Sequence, residues 1–377
     1  MTRSPGVRET GVREVGVLRD ADPAGGEALS AVARRLALVH AHTADGLLVA
    51  EPGRGLLLTE SLPGVAGPIR CGRTALIPGG PLAAPEHAAA LVRYVEAWAT
   101  PLGLSPLWLN VTAAELPALA SVGYRPTRIG ADCVVRHPGR WEGGRFRAVR
   151  AACGRATRAG VSVSELSDDE SAWGDLPAIV AAHLAAKPQL RPATAFIAPP
   201  PAGPSDGRRV WIARKDGRTV GFASVHPLGV RETDGTRRWT LGGFHTHPEA
   251  PSGTAAALVR GLLDALAAEG VSTVSLGPAP AALIGPAPAG ENPHVCRGVA
   301  AWMRAGNGLF DARGLWHFKS RFRPTLEPLF ACGAPRVSVR QAADFVRASG
   351  VLRVDPRPAL RGTFADLRRP AAFGRIP

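Results

Sequence analysis

Three stretches of the sequence gather residue types able to move protons or hold anions. In HTHPEAPSG, His245 and His247 stand two apart, with Glu249 two further on. On a strand that spacing puts both histidines on one face. As a metal pair they need a third ligand, for which only Glu249 is near; a polar cleft rim accounts for them better, and no metal is expected. In GLWHFKSRFRP, Lys319, Arg321 and Arg323 alternate, which predicts a strand with three cations on one face, suited to clamping phosphates. In GGRFRAVRAACGRATRAG, Arg145, Arg147, Arg150, Arg155 and Arg158 lie along one expected helix that stops at Gly160. The available bases for an ammonium or hydroxyl acceptor are His247, Glu249 and Asp311, the first two preferred. There is no GxSxG elbow, P-loop, HExxH or GxGxxG after a strand. The chemistry on offer is anion binding with acid–base transfer.

The elements that must position these residues read as two mixed units. Residues 1–25 lack periodicity and read as a loose leader. A first unit over 26–142 holds a helix at 28–39 and two apolar runs, 47–50 and 56–59, joined by a hairpin turn at EPGRG. It continues with a strand at 74–77, a helix that puts Leu91, Val92, Val95 and Trp98 on one face, a buried strand at 107–111, a helix at 113–122 and a strand at 132–136. The basic helix occupies 143–160. A second unit over 161–335 holds a helix at 171–187, a PPPAGPSDG loop suited to a lid, and a hairpin at Asp216-Gly217, the pair that favours a type I′ turn. A strand at 239–244, a helix over TAAALVRGLLDALAAEG and a strand over VSTVSLG follow. The tail, 336–377, is rich in Arg and Pro, with one helix at 341–348. Antiparallel strands interrupted by helices make this α+β, not a doubly wound sheet.

The 377 residues carry a net charge of +14, which points to a polyanion: nucleic acid or an anionic membrane surface met peripherally. Five scattered cysteines without CxxC spacing read as reduced thiols. The N-terminus has no signal-peptide core and no run reaches the length of a membrane span, so a cytoplasmic protein is expected. The loop before the TAAALVRG helix offers Pro251, Ser252 and a single Gly253 with no preceding Arg or Lys, which argues against coenzyme A as an acyl donor. A helix cap by Ser252 or Thr254 accounts for the same residues structurally.

In order along the chain, GGRFRAVRAACGRATRAGV, HPEAPSG, VSTVSLGPAP and NGLFDARGLWHFKSRFRPTLEPLF resemble motifs of the aminoacyl-transferase domain of lysyl- and alanyl-phosphatidylglycerol synthases and their soluble relatives. The resemblance implies two tandem acetyltransferase-like (GNAT-type) domains with mixed, largely antiparallel sheets, joined by the basic helix. It implies aminoacyl-tRNA as co-substrate with no other cofactor, and a small-molecule acceptor in a biosynthetic, antibiotic-type pathway, or phosphatidylglycerol in the alternative. Pro251, Ser252, Gly253 and Gly277 then form the donor loop. Lys319 lies nearest the reacting ester, and Arg145, Arg147, Arg150, Arg155, Arg158, Arg321 and Arg323 hold tRNA phosphates. The chain departs from the family in carrying Phe244, His245 and Thr246 in place of a Met-Arg pair and Leu326 in place of Trp, which weighs against phosphatidylglycerol. A coenzyme A acetyltransferase and a tRNA-binding module without activity are the rivals; a cleft between 244 and 319 filled by side chains favours the latter.

Overall fold

The computed structural model describes residues 23–352 apart from 52–54, 60, 169–170, 188–200, 202, 206, 232–234 and 307. The expected leader up to residue 22, the centre of the EPGRG turn, much of the expected lid and the tail beyond 352 lie outside these. Among the described residues no helix is long and apolar enough to cross a membrane.

The chain opens with helix α1 (Pro23–His40) and a 3-10 turn (Ala44–Ala50), then strands β1 (Leu57–Thr59), β2 (Leu62–Ala66), β3 (Ile69–Cys71), β4 (Thr74–Pro78) and β5 (Leu82–Ala83). Helix α2 (Pro85–Ala99), β6 (Ser105–Val111), α3 (Leu116–Ser121) and β7 (Arg125–Arg136) complete the first half. Helix α4 (Arg147–Arg158) leads to β8 (Ser162–Glu165), α5 (Leu176–Ala185), β9 (Arg209–Lys215), β10 (Arg218–Arg231) and β11 (Arg237–Thr246). Then come α6 (Thr254–Ala268), β12 (Thr273–Pro280), α7 (Pro293–Ala305), α8 (Ala312–Ser320), β13 (Thr325–Gly333) and α9 (Val339–Ala348).

Two expectations fail locally. Residues 47–50 belong to a 3-10 turn and not to a strand, because Asp45-Gly46 starts a tight turn that packs Leu47 and Val49 against α1. Residues 312–320 are helical, not extended: Asp311 caps the helix and Pro324 bars its continuation. The hairpin at Asp216-Gly217 forms as expected, with Lys215 opposite Arg218 and both turn residues at positive φ (50° and 74°).

Among the described residues ten strands make one mixed, mostly antiparallel sheet in the order β3-β4-β6-β13-β7-β12-β11-β10-β9-β8, beside a small sheet of β1, β2 and β5. The fold is α+β. The parallel pairs of the large sheet are β4·β6 and β11·β12, and each closes a strand–helix–strand unit, through α2 and through α6. Each half's last strand pairs with the other half's unit: β7 lies against β12 and β13 against β6. The expected boundaries at 142 and 161 therefore do not coincide with any break in the sheet.

Core packing follows the alternation of the strands. Ala75, Ile77 and Trp108 face α2, while Leu76, Leu107 and Leu109 face α7 and α9. Cys133 and Val135 of β7, with Leu241, Val274 and Leu276 of the second half, face α4 and α6. On the opposite face of those central strands the apolar pattern stops, and Asp132, Arg238, Thr240, Ser275 and Glu327 take its place. Helix α1 and the 3-10 turn lie over that side, against β10 and β11.

Candidate active site

β11 and β12 pair only at Trp239–Val274 and Thr240–Ser275 and then part. Beyond that point β11 stays with β10, and β12 follows β7 across a register shift between Ser275 and Pro278. Gly277 sits in the shift with φ of 78°, a left-handed conformation in which glycine carries no steric penalty. Helix α8 delivers Lys319 to this gap, where its Nζ donates to the Pro278 carbonyl at 2.7 Å. A Cβ on Gly277 would stand 3.6 Å from that Nζ. Cys133, Asp132 and Asp45 act on the ammonium electrostatically.

Burial outweighs pairing throughout this chamber. Lys319 is 6% exposed; desolvation holds its pKa below the ordinary lysine value, against the opposing pull of Cys133, Asp132 and Asp45. Desolvation likewise raises Asp132, although Ser275 Oγ donates to its Oδ1 at 2.6 Å and Lys319 and Arg238 stand near. Asp45, bonded to Asn110, is pushed up to about 6 by burial. Arg238 is tied to Glu327 at 2.8 Å, and Arg136 reaches the same carboxylate from the rim. A buried amine held below its ordinary pKa in the same neighbourhood as carboxylates held above theirs is an arrangement suited to general acid–base work.

At the end of β11 a cleft of about 320 Å³ opens before the first turn of α6, lined by His183, Lys187, Thr246, His247, Pro251 and Thr254 among others. The α6 cap is Gly253 itself, which has no side chain to bond, and Thr254 Oγ1 donates to the Pro251 carbonyl at 2.7 Å. A Cβ on Gly253 would fall 2.0 Å from the Ala152 carbonyl of α4, so the close approach of the two helices demands glycine. Between cleft and gap, Phe244 stacks on Phe318 with centroids 5.4 Å apart. Both rings stay partly exposed.

The structure brings Gly277 and Lys319 together and sets Pro251, Ser252 and Gly253 at the cleft. It does not bring in the expected bases. His247 lines the cleft, but its Nδ1 accepts the Glu249 N–H at 3.3 Å, and the Glu249 side chain is 90% exposed. Asp311 accepts the Gly314 N–H at 2.7 Å as the cap of α8, about 12 Å along that helix from Lys319 at 1.5 Å per residue. Because 312–320 is helical, Lys319 points into the gap and does not share a phosphate-binding face with Arg321 and Arg323; Arg323 Nε donates instead to the Arg145 carbonyl at 3.3 Å. His245 turns inward against Phe222 and His183, and among the described residues no three metal-ligating side chains converge.

The basic helix is as expected in its face. Val149, Ala152, Cys153 and Ala156 are buried, packed with α6, and Arg145, Arg147, Arg150, Arg155 and Arg158 are exposed. Arg150 is partly committed, since its Nη1 donates to the Trp141 and Gly143 carbonyls at 2.6 and 2.8 Å.

Sequence reading missed Asp45, Asp132, Arg238, Ser275 and Glu327. Asp132 carried a signal: it is a lone acid inside the apolar strand sequence IGADCVV, and an unpaired buried carboxylate is costly enough to need a reason. Asp45 carried none, because Asp-Gly reads as an ordinary turn.

The fold has solved counterparts. The C-terminal domain of a putative lysylphosphatidylglycerol synthetase from Agrobacterium fabrum is 18% identical, with a TM-score of 0.66 over 86% of this chain and 95% of that one. L-PGS from Bacillus licheniformis is 14% identical, with a TM-score of 0.67 over 88% of this chain and 97% of that one. A conserved protein of unknown function from Bacteroides thetaiotaomicron follows at 12% identity and a TM-score of 0.52, over 85% and 99%. No curated protein sequence matches. The model of the family described as phosphatidylglycerol lysyltransferase, C-terminal, matches residues 70–333, more than half of the chain. That span runs from β3 through β13 and holds every strand that frames the gap, so the protein belongs to the phosphatidylglycerol lysyltransferase C-terminal family.

Proposed function

We propose that the protein transfers an aminoacyl group from aminoacyl-tRNA to an acceptor hydroxyl, with the gap beside Gly277 as the place of reaction. The observation that carries this reading is Lys319, a buried ammonium in the parting of two strands and backed by Asp132. The donor is an activated ester, so the chain needs only to orient it, accept one proton and balance one negative charge. Asp132 takes the proton of the attacking hydroxyl. Lys319 faces the carbonyl oxygen as it gains charge, then protonates the departing 3′-hydroxyl of the tRNA. A proton passing from Asp132 to Lys319 restores both.

The family description favours a headgroup hydroxyl of phosphatidylglycerol as acceptor, and a chain of charge +14 suits an anionic surface. A second reading, a small soluble acceptor, is favoured by Phe244 and its stack on Phe318, which puts an apolar wall where the family resemblance calls for a cation. Incubation with a charged tRNA should release its amino acid only when an acceptor is supplied. Phosphatidylglycerol vesicles are the first acceptor to test, and small hydroxyl compounds and amines the second. Turnover with acetyl-CoA in place of charged tRNA would overturn the reading.

The exposed arginines of α4 are assigned to the tRNA backbone. Replacing Arg147, Arg155 and Arg158 by alanine should weaken tRNA binding equally for charged and uncharged tRNA. The slope of log K against log salt should shrink by about 0.7 to 0.9 for each phosphate no longer neutralised. An unchanged slope would show that face to be merely solvated.

A further inference from the structure

A second cleft, of about 380 Å³, opens at the far end of the first half. Glu96 and Thr100 at the end of α2 line it, with Leu104, Ser105 and Pro106 leading into β6, Tyr124 before β7 and Ala334 after β13. The three strands end side by side there, since Gly333 pairs with both Leu107 and Arg125. Strand alternation puts Pro106 and Ala334 on the face of Trp108 and Cys332, which packs on α2. Gln341 of α9 holds the rim, its Nε2 donating to Ser105 Oγ at 2.9 Å and to the Pro106 carbonyl at 3.1 Å. Ala334 stands on the order of 20 Å along β13 from Glu327 of the chamber wall, at about 3.3 Å per residue. The cleft is therefore separate from the gap at Lys319.

Its floor is polar and unsatisfied. Tyr124 is 1% exposed and Trp108 0%, yet among the described residues neither Tyr124 Oη nor Trp108 Nε1 has a hydrogen-bond partner. Buried polar atoms without partners are rare in native proteins and call for an explanation. Burial and the nearby Glu96 carboxylate hold the phenol above its ordinary pKa, so at neutral pH it keeps its proton and its oxygen remains an acceptor. Glu96 brings a negative charge to the lining, which contains no Lys, Arg or His. Helix α2 has no basic residue in its last turn either, so its own side chains leave the negative end of the helix dipole without a cation. In a chain of net charge +14 this is a locally acidic hollow. Glu96, Tyr124 Oη and Thr100 Oγ1 supply acceptors for the three N–H donors of a primary ammonium. Leu104, Pro106 and Ala334 supply apolar surface, and no cation in the lining could hold a carboxylate.

We propose that this cleft binds a small primary amine with an apolar body and no carboxylate, its ammonium seated on Glu96 and Tyr124. The distance from Lys319 makes the amine a ligand other than the acyl donor and acceptor, and the proposal stands apart from the transfer reading. Calorimetry on the full chain at neutral pH should show binding of isoamylamine and phenethylamine. Isoamyl alcohol, which lacks the charge, and leucine and phenylalanine, which add a carboxylate, should not bind. Glu96→Gln keeps the size of the side chain and should weaken amine binding roughly tenfold to a hundredfold, the range for a hydrogen bond to a charged group. Tyr124→Phe should weaken it severalfold, while the unliganded variant melts no lower than wild type, because the hydroxyl has no internal partner to lose. The proposal is overturned if the alcohol or the amino acids bind as well as the amines, or if Glu96→Gln binds the amines like wild type.

Discussion

Lys319→Met should abolish most turnover while leaving tRNA affinity intact. A positioned donor facing a developing oxyanion contributes about 3–4 kcal/mol, so kcat should fall by about 10² to 10³. The same change removes a buried cation that donates to the Pro278 carbonyl and acts electrostatically on Asp132 and Asp45, so stability should fall as well. Lost activity alone would therefore be ambiguous. The double variant Lys319→Met/Asp132→Asn separates the effects: it neutralises both partners, so the stability lost in the single variant should largely return while turnover stays down. Recovery of turnover along with stability would reduce Lys319 to a structural role.

Asp45→Asn should make the protein more stable at neutral pH. The folded-state pKa of Asp45 is raised from 3.8 to about 6, so folding favours its protonated form. That contribution is fully present below pH 4 and is lost as pH rises through 6. The loss amounts to about 3 kcal/mol by pH 7.5, at 1.36 kcal/mol per unit. Glu115, raised to about 7 by burial, acts in the same direction over an overlapping range. His226 and His245, lowered to about 4, act in the opposite one. The difference between wild type and Asp45→Asn cancels those terms, so urea denaturation of both proteins at pH 4 and pH 7.5 is the measurement. Equal differences at the two pH values would mean that Asp45 is not held in a desolvating site.

The α6 helix was legible because its leucines recur at helical spacing, and β6, β11 and β12 because short apolar runs end at turn residues. The 312–320 helix was not. Its basic residues at 317, 319, 321 and 323 alternate like a strand's outer face, whereas the pattern that decides is Leu315, Phe318 and Phe322, with Asp311 as cap. Lys319 stands out in the sequence for its charge next to a family motif; what sets it apart in the fold, burial in the gap at Gly277, is a tertiary fact. The partners Asp132 and Asp45 lie far from it along the chain, so no local window joins them. Asn110, at φ of 54°, likewise reaches Asp45 only through the fold.

The exchange of last strands also bears on when the molecule becomes active during its synthesis. β13 is the last strand of the large sheet to leave the ribosome, yet it takes the fourth place in that sheet, between β6 and β7. Until it arrives those two strands face each other across an empty slot, and Glu327, which holds Arg238, is missing from the chamber wall. A nascent or truncated chain that stops short of residue 325 cannot close the chamber, whatever else it has folded.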